Sequence, residues 1–268
     1  MPELPEVETV VRELSKQLTD KNILQIKILN PKLRYPIPNN LITFRGSIKS
    51  IKRQAKYIII SIDNDQNIVI HLGMTGKVLI INSHEYKQDK HDHLIINLDN
   101  NISIVYNDTR KFGLITTPEL APPSFYNSAP DPFAQNFSIT KLKQKLSKSS
   151  SSIKSCIMNN DIITGVGNIY ANEALFKANI LPTRAANTLS NIEINRLIEQ
   201  IIVTLKEAIQ AGGSSIKDYR NSSGKLGYFQ QQHFVYNKKN TPCKICQNKI
   251  EHIQQSGRSS FFCSKCQK

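Results

Sequence analysis

The chain begins with two residues that together could perform covalent catalysis. Removal of Met1 would leave Pro2 with a secondary α-amine beside the carboxyl group of Glu3. An α-amine has a pKa of about 7.7–8.0, against about 10.4 for lysine, so far more of it is unprotonated and nucleophilic at neutral pH. Such an amine would attack a carbon centre and form an imine. The alternative is that Pro2 and Pro5 only lead into a helix. If Met1 is retained, the nitrogen of Pro2 is an amide and the chemistry is lost.

Four of the five cysteines form two Cys-x-x-Cys pairs separated by sixteen residues, namely Cys243, Cys246, Cys263 and Cys266. This spacing is typical of a zinc ribbon, in which four thiolates hold one Zn²⁺ in a closed tetrahedral site. A closed site has no position for a catalytic water, so the expected zinc is structural. A segment of about 30 residues cannot fold on its own core, so metal binding would supply its folding free energy. Two disulfides, which are disfavoured in a cytosolic protein, or unrelated thiols are the alternatives.

Three shorter patterns have either a structural or a functional interpretation. Gly165-Val166-Gly167-Asn168 precedes a helical run, where backbone N–H groups can bind an anion or simply form a turn. The turn in His71–Gly76 carries a methionine, Met74. Its side chain is either buried in the core or exposed as a wedge for opening a base stack. The segment Tyr106–Gly113 places basic residues beside Phe112, as insertion between bases requires.

Two further basic residues stand beside a predicted strand and at the tip of a predicted hairpin. Lys56 precedes a predicted strand, where it could be an edge lysine that discourages aggregation. Arg258 lies between the cysteine pairs, at the expected tip of a hairpin, where an arginine suits phosphate contact or simply faces solvent.

The charge of the chain indicates a polyanionic partner. Lys and Arg number 35 against 21 Asp and Glu, which gives a net charge of +14 and a pI near 9.5. Nucleic acid is the leading candidate. The sequence has no basic amphipathic helix with a bulky apolar face, so we expect no membrane partner. Apolar runs are too short to cross a bilayer and the first 20 residues lack a secretory core, so the expected location is the cytoplasm.

Hydrophobic periodicity divides the chain into a β-rich part and a helical part. A helix is predicted over residues 7–18 behind the N-terminal pair. Seven short runs rich in Ile and Val lie between Ile23 and Thr116 and predict an antiparallel β-sandwich or barrel. Prolines cluster between Pro118 and Pro132 and suggest a hinge. Helices are then predicted near 139–147, 152–159, 168–178 and 191–211.

The motifs taken together, in this order and spacing, resemble the formamidopyrimidine-DNA glycosylase family along essentially the whole chain. They are Pro2–Val7, His71–Gly76, Tyr106–Gly113, Gly165–Glu173, Gly213–Asp218 and the ribbon Cys243–Cys266. The resemblance implies an α+β protein of two domains that grips duplex DNA, with a β-sandwich at residues 1–117, a hinge at 118–137, a helix-two-turn-helix bundle at 138–236 and a zinc-ribbon hairpin at 237–268. It also implies a monomeric, bacterial-type cytoplasmic repair enzyme, associated with the nucleoid through DNA, that removes 8-oxoguanine and ring-opened purines and then cleaves the strand.

The resemblance also implies roles for single residues. Pro2 is the nucleophile, Glu3 transfers protons, and Lys56 and Arg258 act in β- and δ-elimination. Because an arginine has a pKa above 12 and is a poor acid, we expect Arg258 to be chiefly a phosphate clamp. Glu6 is expected to support the site by capping the helix start at Asn168. The expected DNA contacts are His71, Met74, His91, Arg110, Phe112, Ser150, Lys154 and Asn168, with a lesion-covering loop around Lys217–Gly227.

The sequence departs from the family pattern at three places, which affect contact strength more than the reaction. The serine run Ser149–Ser152 replaces a basic residue, Asn159 replaces a frequent aspartate, and Lys111 stands where arginine is common. Two alternatives stay open. The endonuclease VIII branch shares the Pro2-Glu3 chemistry but prefers oxidised pyrimidines, although Leu4 and the His71–Gly76 motif favour the purine branch. A zinc-ribbon DNA-binding protein without catalysis would leave Pro2 and Glu3 idle.

Overall fold

The computed structural model describes residues 2–214 and 228–268, which divide into two compact units. The first unit spans Met1–Tyr126 and Ala211–Gln230, and the second spans Asn127–Gln210 and Gln231–Lys268. The expected lesion-covering loop and the end of the Gly213–Asp218 motif lie outside the described residues. The predicted boundaries of the hinge and of the ribbon stay predictions.

The first unit opens with helix α1 (Leu4–Leu18), which carries the N-terminal pair. Pro5 lies in its first turn, where the missing N–H costs no helical hydrogen bond. The carboxylate of Glu6 accepts from the backbone N–H of Glu3 and thereby caps the helix start. Val7, Val10 and the other apolar residues of one face, at i, i+3 and i+4 spacing, are buried against the sheet. Burial of this face fixes the direction in which the N-terminus leaves the domain.

Eight antiparallel strands form the body of the first unit. They are β1 (Asn22–Ile28), β2 (Gly46–Gln54), β3 (Tyr57–Ile62), β4 (Asn67–His71), β5 (Lys77–Asn82), β6 (Asp92–Leu98), β7 (Ile102–Asn107) and β8 (Leu114–Thr116). Their order is β5-β7-β6-β1-β2-β3-β4-β8. Strands β1 and β2 pair only through Asn22 and Ile23, so the sheet bends there into two halves. Alternating isoleucines and valines of both halves meet in one core, which confirms the predicted antiparallel β-sandwich. A short helix, α2 (Pro123–Tyr126), follows β8.

The second unit is helical and ends in a hairpin. Its elements are α3 (Ile139–Ser147), α4 (Ile153–Ile157), α5 (Asn168–Lys177), α6 (Asn191–Gln210), β9 (Glu251–Gln255) and β10 (Arg258–Phe262). Helix α5 is buried on every side from Ile169 to Phe176, which makes it the central helix of the unit. Among the helices of residues 2–214 and 228–268, none is long and apolar enough to span a membrane.

Helix α5 also holds the cysteine-rich end of the chain. Phe176 packs in one cluster with Val235, Ile250 and Phe261. The side-chain oxygen of Asn172 accepts from the backbone N–H of Phe261 at 2.7 Å. These contacts join α5 to β10 and to the segment before the first cysteine pair.

The carboxylate of Glu173 is the centre of this attachment. Glu173 is 1% exposed and accepts three backbone N–H groups, from Phe234 at 2.8 Å, Val235 at 3.0 Å and Tyr236 at 2.8 Å. Burial raises the pKa of Glu173, and the three hydrogen bonds oppose that shift. A buried carboxylate is therefore kept in place by the donors that it satisfies.

We predict that Glu173→Ala lowers the free energy of unfolding of the second unit by about 3 kcal/mol or more, because three buried N–H groups lose their acceptor. Thermal unfolding followed by circular dichroism measures the change. Glu207→Ala is the matched control, since Glu207 is 44% exposed and its ion pair with Lys177 lies at the surface. Equal melting temperatures for the two variants would contradict the role given to Glu173.

Candidate functional site

The N-terminal pair is held at the start of α1 by a buried carboxylate. Pro2 is buried, and Glu3 is 3% exposed and precedes the first helical residue. The Oε2 atom of Glu6 accepts from the Glu3 backbone N–H at 2.8 Å, and its Oε1 atom accepts from the Ser214 N–H at 2.8 Å. Glu6 thus ties the N-terminal pair to a segment more than 200 residues further along the chain. The expected contact of Glu6 with the helix start at Asn168 stays a prediction.

Gly213 makes this attachment possible. Its φ of +80° lies in the left-handed region, which favours glycine. A Cβ atom at this position would lie 3.0 Å from Oε1 of Glu6, closer than an ordinary contact. The glycine therefore lets the backbone approach the carboxylate closely enough for Ser214 to donate.

Lys56 lies in the two-residue turn between β2 and β3 and is partly exposed. Ala55 in the same turn has a φ of +53°, an unusual conformation for a residue with a Cβ. The Arg53 side chain stabilises the turn by donating to the Ala55 carbonyl oxygen at 2.9 Å and to Oε2 of Glu8 at 2.8 Å. Glu8 belongs to α1, so this partly buried pair connects the helix of the N-terminal pair with the turn of Lys56.

His71 ends β4 beside this turn. Its ring lies 4.9 Å from the ring of Tyr57, its partner on β3. Burial and the positive charge of Lys56 lower the pKa of His71 to about 4. The imidazole is therefore neutral at physiological pH, and its Nδ1 atom accepts from the Gly73 backbone N–H at 3.1 Å. That hydrogen bond shapes the turn that follows the strand.

The predicted base-stack residues are partly exposed in the first unit. Met74 is 37% exposed and Phe112 is 46% exposed, so both side chains are accessible to a partner. The guanidinium of Arg110 lies 5.2 Å from the centre of the Phe112 ring. His91 is partly exposed, and its backbone carbonyl accepts from the Asp108 N–H at 3.0 Å. The structure therefore collects an apolar wedge, an aromatic ring and a cation on adjacent loops.

The second unit carries the remaining predicted contacts. Asn168 is the first residue of α5, directly after Gly167, where helix dipole and backbone N–H groups favour an anion. Ser150 and Arg258 are exposed, and Arg258 begins β10 opposite Gln255. Lys154 is only 2% exposed, and its ammonium donates to Ser259 O at 2.7 Å and Ser260 Oγ at 2.8 Å. Lys154 thus supports the hairpin of Arg258, and its expected phosphate contact stays a prediction.

Sequence reasoning missed three residues that organise these groups. Arg53 and Asp108 stabilise the loops of the first unit, and Glu173 attaches the cysteine-rich end of the second. Asp108 and Glu173 lie within predicted site motifs and Arg53 lies close to Lys56, but charged residues at such positions are common on protein surfaces. Only their burial and their backbone partners distinguish them.

The four paired cysteines converge to a metal-binding geometry. Their Sγ atoms all lie within 4.8 Å of one another, with 3.9 Å between Cys243 and Cys266 and 3.4 Å between Cys246 and Cys263. Four thiolates around one Zn²⁺ at about 2.3 Å are separated by about 3.8 Å, so the cluster fits a tetrahedral zinc site. Within the described residues this is the one cluster suited to a metal ion. All four thiolates are used as ligands, so the zinc has a structural role.

We predict that His71 keeps a neutral imidazole down to about pH 5 and that the pKa rises toward its usual value in Lys56→Met, because a neighbouring positive charge is removed. Nitrogen chemical shifts of the ring over a pH series measure both. Since the folded-state pKa lies below the ordinary 6.5, stability is lost as pH falls from 6.5 to about 4. Lys52→Met, at an exposed position on β2, is the control. A His71 pKa near 6.5 would contradict this environment.

We predict one zinc ion per chain, lost together with the fold of the ribbon in Cys246→Ser or Cys263→Ser. Cys156→Ser should retain the metal, because Cys156 is a buried cysteine of α4 outside the cluster. Metal analysis of the purified proteins, with a colorimetric assay of release, distinguishes the two groups. Loss of zinc from Cys156→Ser, or its retention after either ligand is replaced, would contradict the assignment.

Comparisons with known proteins match the whole chain. Family models describe residues 1–115 as a formamidopyrimidine-DNA glycosylase N-terminal domain, 128–220 as its H2TH domain and 241–268 as a zinc finger found in FPG and IleRS. A formamidopyrimidine-DNA glycosylase of Wolbachia sp. subsp. Brugia malayi is 46% identical over the full length of both chains. A mutant of the Lactococcus lactis FPG, solved with DNA that contains Fapy-dG, matches with a TM-score of 0.90 and 34% identity, again over both whole chains. A MutM structure with carbocyclic 8-oxo-G in its DNA matches at 0.89 and 34%, with both chains fully covered. The chain belongs to the formamidopyrimidine-DNA glycosylase family.

Proposed function

We propose that this protein removes oxidised purines from duplex DNA through a covalent intermediate on Pro2 and then cleaves the strand at the abasic site. The buried Pro2-Glu3 pair, held by Glu6 at the start of α1, is the observation that carries the proposal. The family membership of the whole chain and the lesion-containing DNA of its structural relatives support the substrate class.

The first step is extrusion of the damaged nucleotide. C1′ of a stacked nucleotide is not accessible to an amine, so the nucleotide must leave the duplex. Met74 and Phe112, exposed on adjacent loops, fill the space that the lesion leaves, and Arg110 engages the orphaned base. Contacts to the DNA backbone position the duplex without reading its sequence. The residues proposed to make these contacts are His71, His91, Lys154, Asn168 and the region of Ser150.

The second step exchanges the glycosidic bond for a bond to the protein. The unprotonated amine of Pro2 attacks C1′ as the damaged base departs with the electrons of the glycosidic bond, and the departing base takes up the proton that the attacking nitrogen loses. Glu3 gives a proton to the ring oxygen, the sugar opens, and an iminium ion forms between Pro2 and C1′.

The third step cleaves the strand. The iminium ion withdraws electrons from C2′, so a proton leaves C2′ and the C3′–O bond breaks. Lys56 gives a proton to the oxygen that leaves C3′ in this β-elimination. In the following δ-elimination the C5′–O bond breaks, and Arg258 holds the departing phosphate. Hydrolysis of the iminium ion then regenerates the amine of Pro2. The zinc, held by its four thiolates, gives the hairpin of Arg258 its fold and takes no part in the reaction.

We propose that the enzyme acts as a monomer in the bacterial cytoplasm, on the nucleoid, where its net charge of +14 drives association with DNA.

We predict that borohydride traps the protein on a duplex with one 8-oxoguanine opposite cytosine. The adduct should fall in Pro2→Gly to the residual level given by the primary α-amine of the glycine. It should be absent from a form that retains Met1, because the nitrogen of Pro2 is then an amide. Glu3→Gln should abolish excision while DNA binding persists. Denaturing electrophoresis of the reduced complexes measures trapping by all three proteins, and native electrophoresis measures DNA binding by Glu3→Gln.

Absence of an adduct from protein with a free Pro2 and bound zinc would overturn the purine assignment. Trapping on an oxidised thymine instead would indicate the pyrimidine-specific branch. Binding without trapping on either lesion would indicate a zinc-ribbon protein that binds DNA and has no catalytic role.

A further inference from the structure

Two exposed segments of the first unit carry the residues proposed to enter the base stack. The Met74 turn comprises residues 71–76, between β4 and β5, and the Phe112 loop comprises residues 108–113, between β7 and β8. They are separated by more than 30 residues in the chain, and neither has regular secondary structure beyond His71. Loops of this kind are normally mobile, whereas insertion into a base stack requires fixed side chains.

The buried carboxylate of Asp108 lies between the two segments. Asp108 is fully buried. Its Oδ1 atom accepts from the Thr75 hydroxyl at 2.5 Å and from the Arg110 backbone N–H at 3.2 Å, and its Oδ2 atom accepts from the Gly113 N–H at 2.8 Å. The Thr75 hydroxyl oxygen also accepts from the Arg110 N–H at 3.1 Å. One carboxylate therefore joins the Met74 turn to both ends of the Phe112 loop.

Glycines let the two segments touch directly. Gly73 has a φ of +60°, and a Cβ atom there would lie 2.5 Å from the carbonyl carbon of Phe112. A Cβ atom at Gly113 would lie 1.6 Å from the Tyr106 hydroxyl oxygen. A larger residue at Gly73 would push the two segments apart, and one at Gly113 would displace the Phe112 loop from Tyr106. The backbones of the Met74 turn and the Phe112 loop are thus in contact, independently of the hydrogen bonds to Asp108.

The rear of the pair is anchored in the sandwich. The Asp108 N–H donates to the His91 carbonyl, and Nε2 of the fully buried His93 lies 3.0 Å from the Asp108 carbonyl oxygen. The Tyr106 hydroxyl donates to the His71 carbonyl at 3.3 Å. These contacts attach both segments to the ends of β4, β6 and β7, which are rigid elements of the core.

We propose that Asp108, acting through Thr75, is a positioning residue that fastens the Met74 turn and the Phe112 loop into one rigid insertion element. The inference rests on the proposed function, because insertion matters only where a base is extruded. Asp108 touches neither substrate nor reacting atoms. Its effect is to keep Met74 and Phe112 in the arrangement that fills the vacated stack, so that no ordering of loops is needed at the moment of extrusion.

The two activities of the enzyme should depend on Asp108 to different extents. Extruding a paired 8-oxoguanine costs unpairing and unstacking, and a preformed insertion element offsets this cost. An abasic site has no base to extrude, so the cost of exposing its sugar is lower. Loosening of the element should therefore slow lesion excision much more than strand cleavage at a preformed abasic site.

The test compares Asp108→Asn, Thr75→Val and Thr75→Ser with the wild-type protein in its zinc-bound form. Asn at 108 has the size of Asp but presents an NH₂ group to one of three donors, and Val at 75 lacks the hydroxyl. Single-turnover rates are measured on one duplex with 8-oxoguanine opposite cytosine and on the same duplex with an abasic site. A 2-aminopurine beside the lesion reports unstacking. Thr43→Val, an exposed threonine of the same unit, controls for the loss of a hydroxyl elsewhere.

We expect Asp108→Asn and Thr75→Val to slow excision by about tenfold to a hundredfold, the order expected for misplacement of about 1 Å, and to reduce the 2-aminopurine signal. Abasic-site cleavage should fall far less, and Thr75→Ser should restore excision. Equal losses in both activities would overturn the inference and make Asp108 only a stabilising residue. Unchanged excision would overturn it as well. Failure of the proposed function itself would appear in the wild-type protein, as cleavage of abasic DNA without excision of 8-oxoguanine.

Discussion

The buried carboxylate of Glu6 is the interaction on which the first unit's chemistry depends. Its two oxygens accept from the Glu3 N–H and from the Ser214 N–H, so Glu3 is held within the folded unit. N-terminal residues are normally poorly ordered, and a nucleophile there would lose the benefit of a fixed geometry. The neighbouring Glu8 pairs with Arg53 and extends this order to the turn of Lys56. Pro2, Glu3 and Lys56, the proposed nucleophile and proton carriers, are therefore connected through the first two turns of one helix.

The two units use the same physical device for different purposes. In the first, Asp108 and Glu6 gather backbone N–H groups around buried carboxylates and thereby fix loops at the site. In the second, Glu173 does the same for the segment before the ribbon, while the buried ammonium of Lys154 donates to the Ser259 carbonyl and the Ser260 hydroxyl on the strand of Arg258. Buried charges of this kind are costly unless fully hydrogen-bonded, so each one specifies a single arrangement of the backbone around it. The zinc site adds a covalent-strength constraint to a segment too small to have a core of its own.

Much of this architecture could be predicted from the sequence, because the signals are local. Short runs rich in Ile and Val predicted seven strands, and helical spacing predicted α3, α5 and α6 to within a residue of the structure. Strand β8 was missed, since three residues show no period. The cysteine spacing predicted the ribbon because ligand number and geometry leave few alternatives.

The supporting contacts could not be predicted, because they join distant parts of the chain. Nothing in the sequence pairs Glu6 with Ser214, or Thr75 with Asp108. The burial of Lys154 was likewise hidden, since a lysine in a basic segment is expected to face solvent or phosphate. Motif recognition therefore finds the groups that touch the substrate, while the groups that hold them in place become visible only in three dimensions.

The central claim is that the α-amine of Pro2, and no lysine side chain, bonds to the sugar. Peptide mapping by mass spectrometry of the borohydride-reduced protein–DNA adduct, after digestion of both components, tests this claim most directly. We expect the added sugar fragment to lie on Pro2 at the beginning of the N-terminal peptide, with Met1 absent. A fragment on Lys56 or on any other lysine, or on a peptide that still begins with Met1, would contradict it.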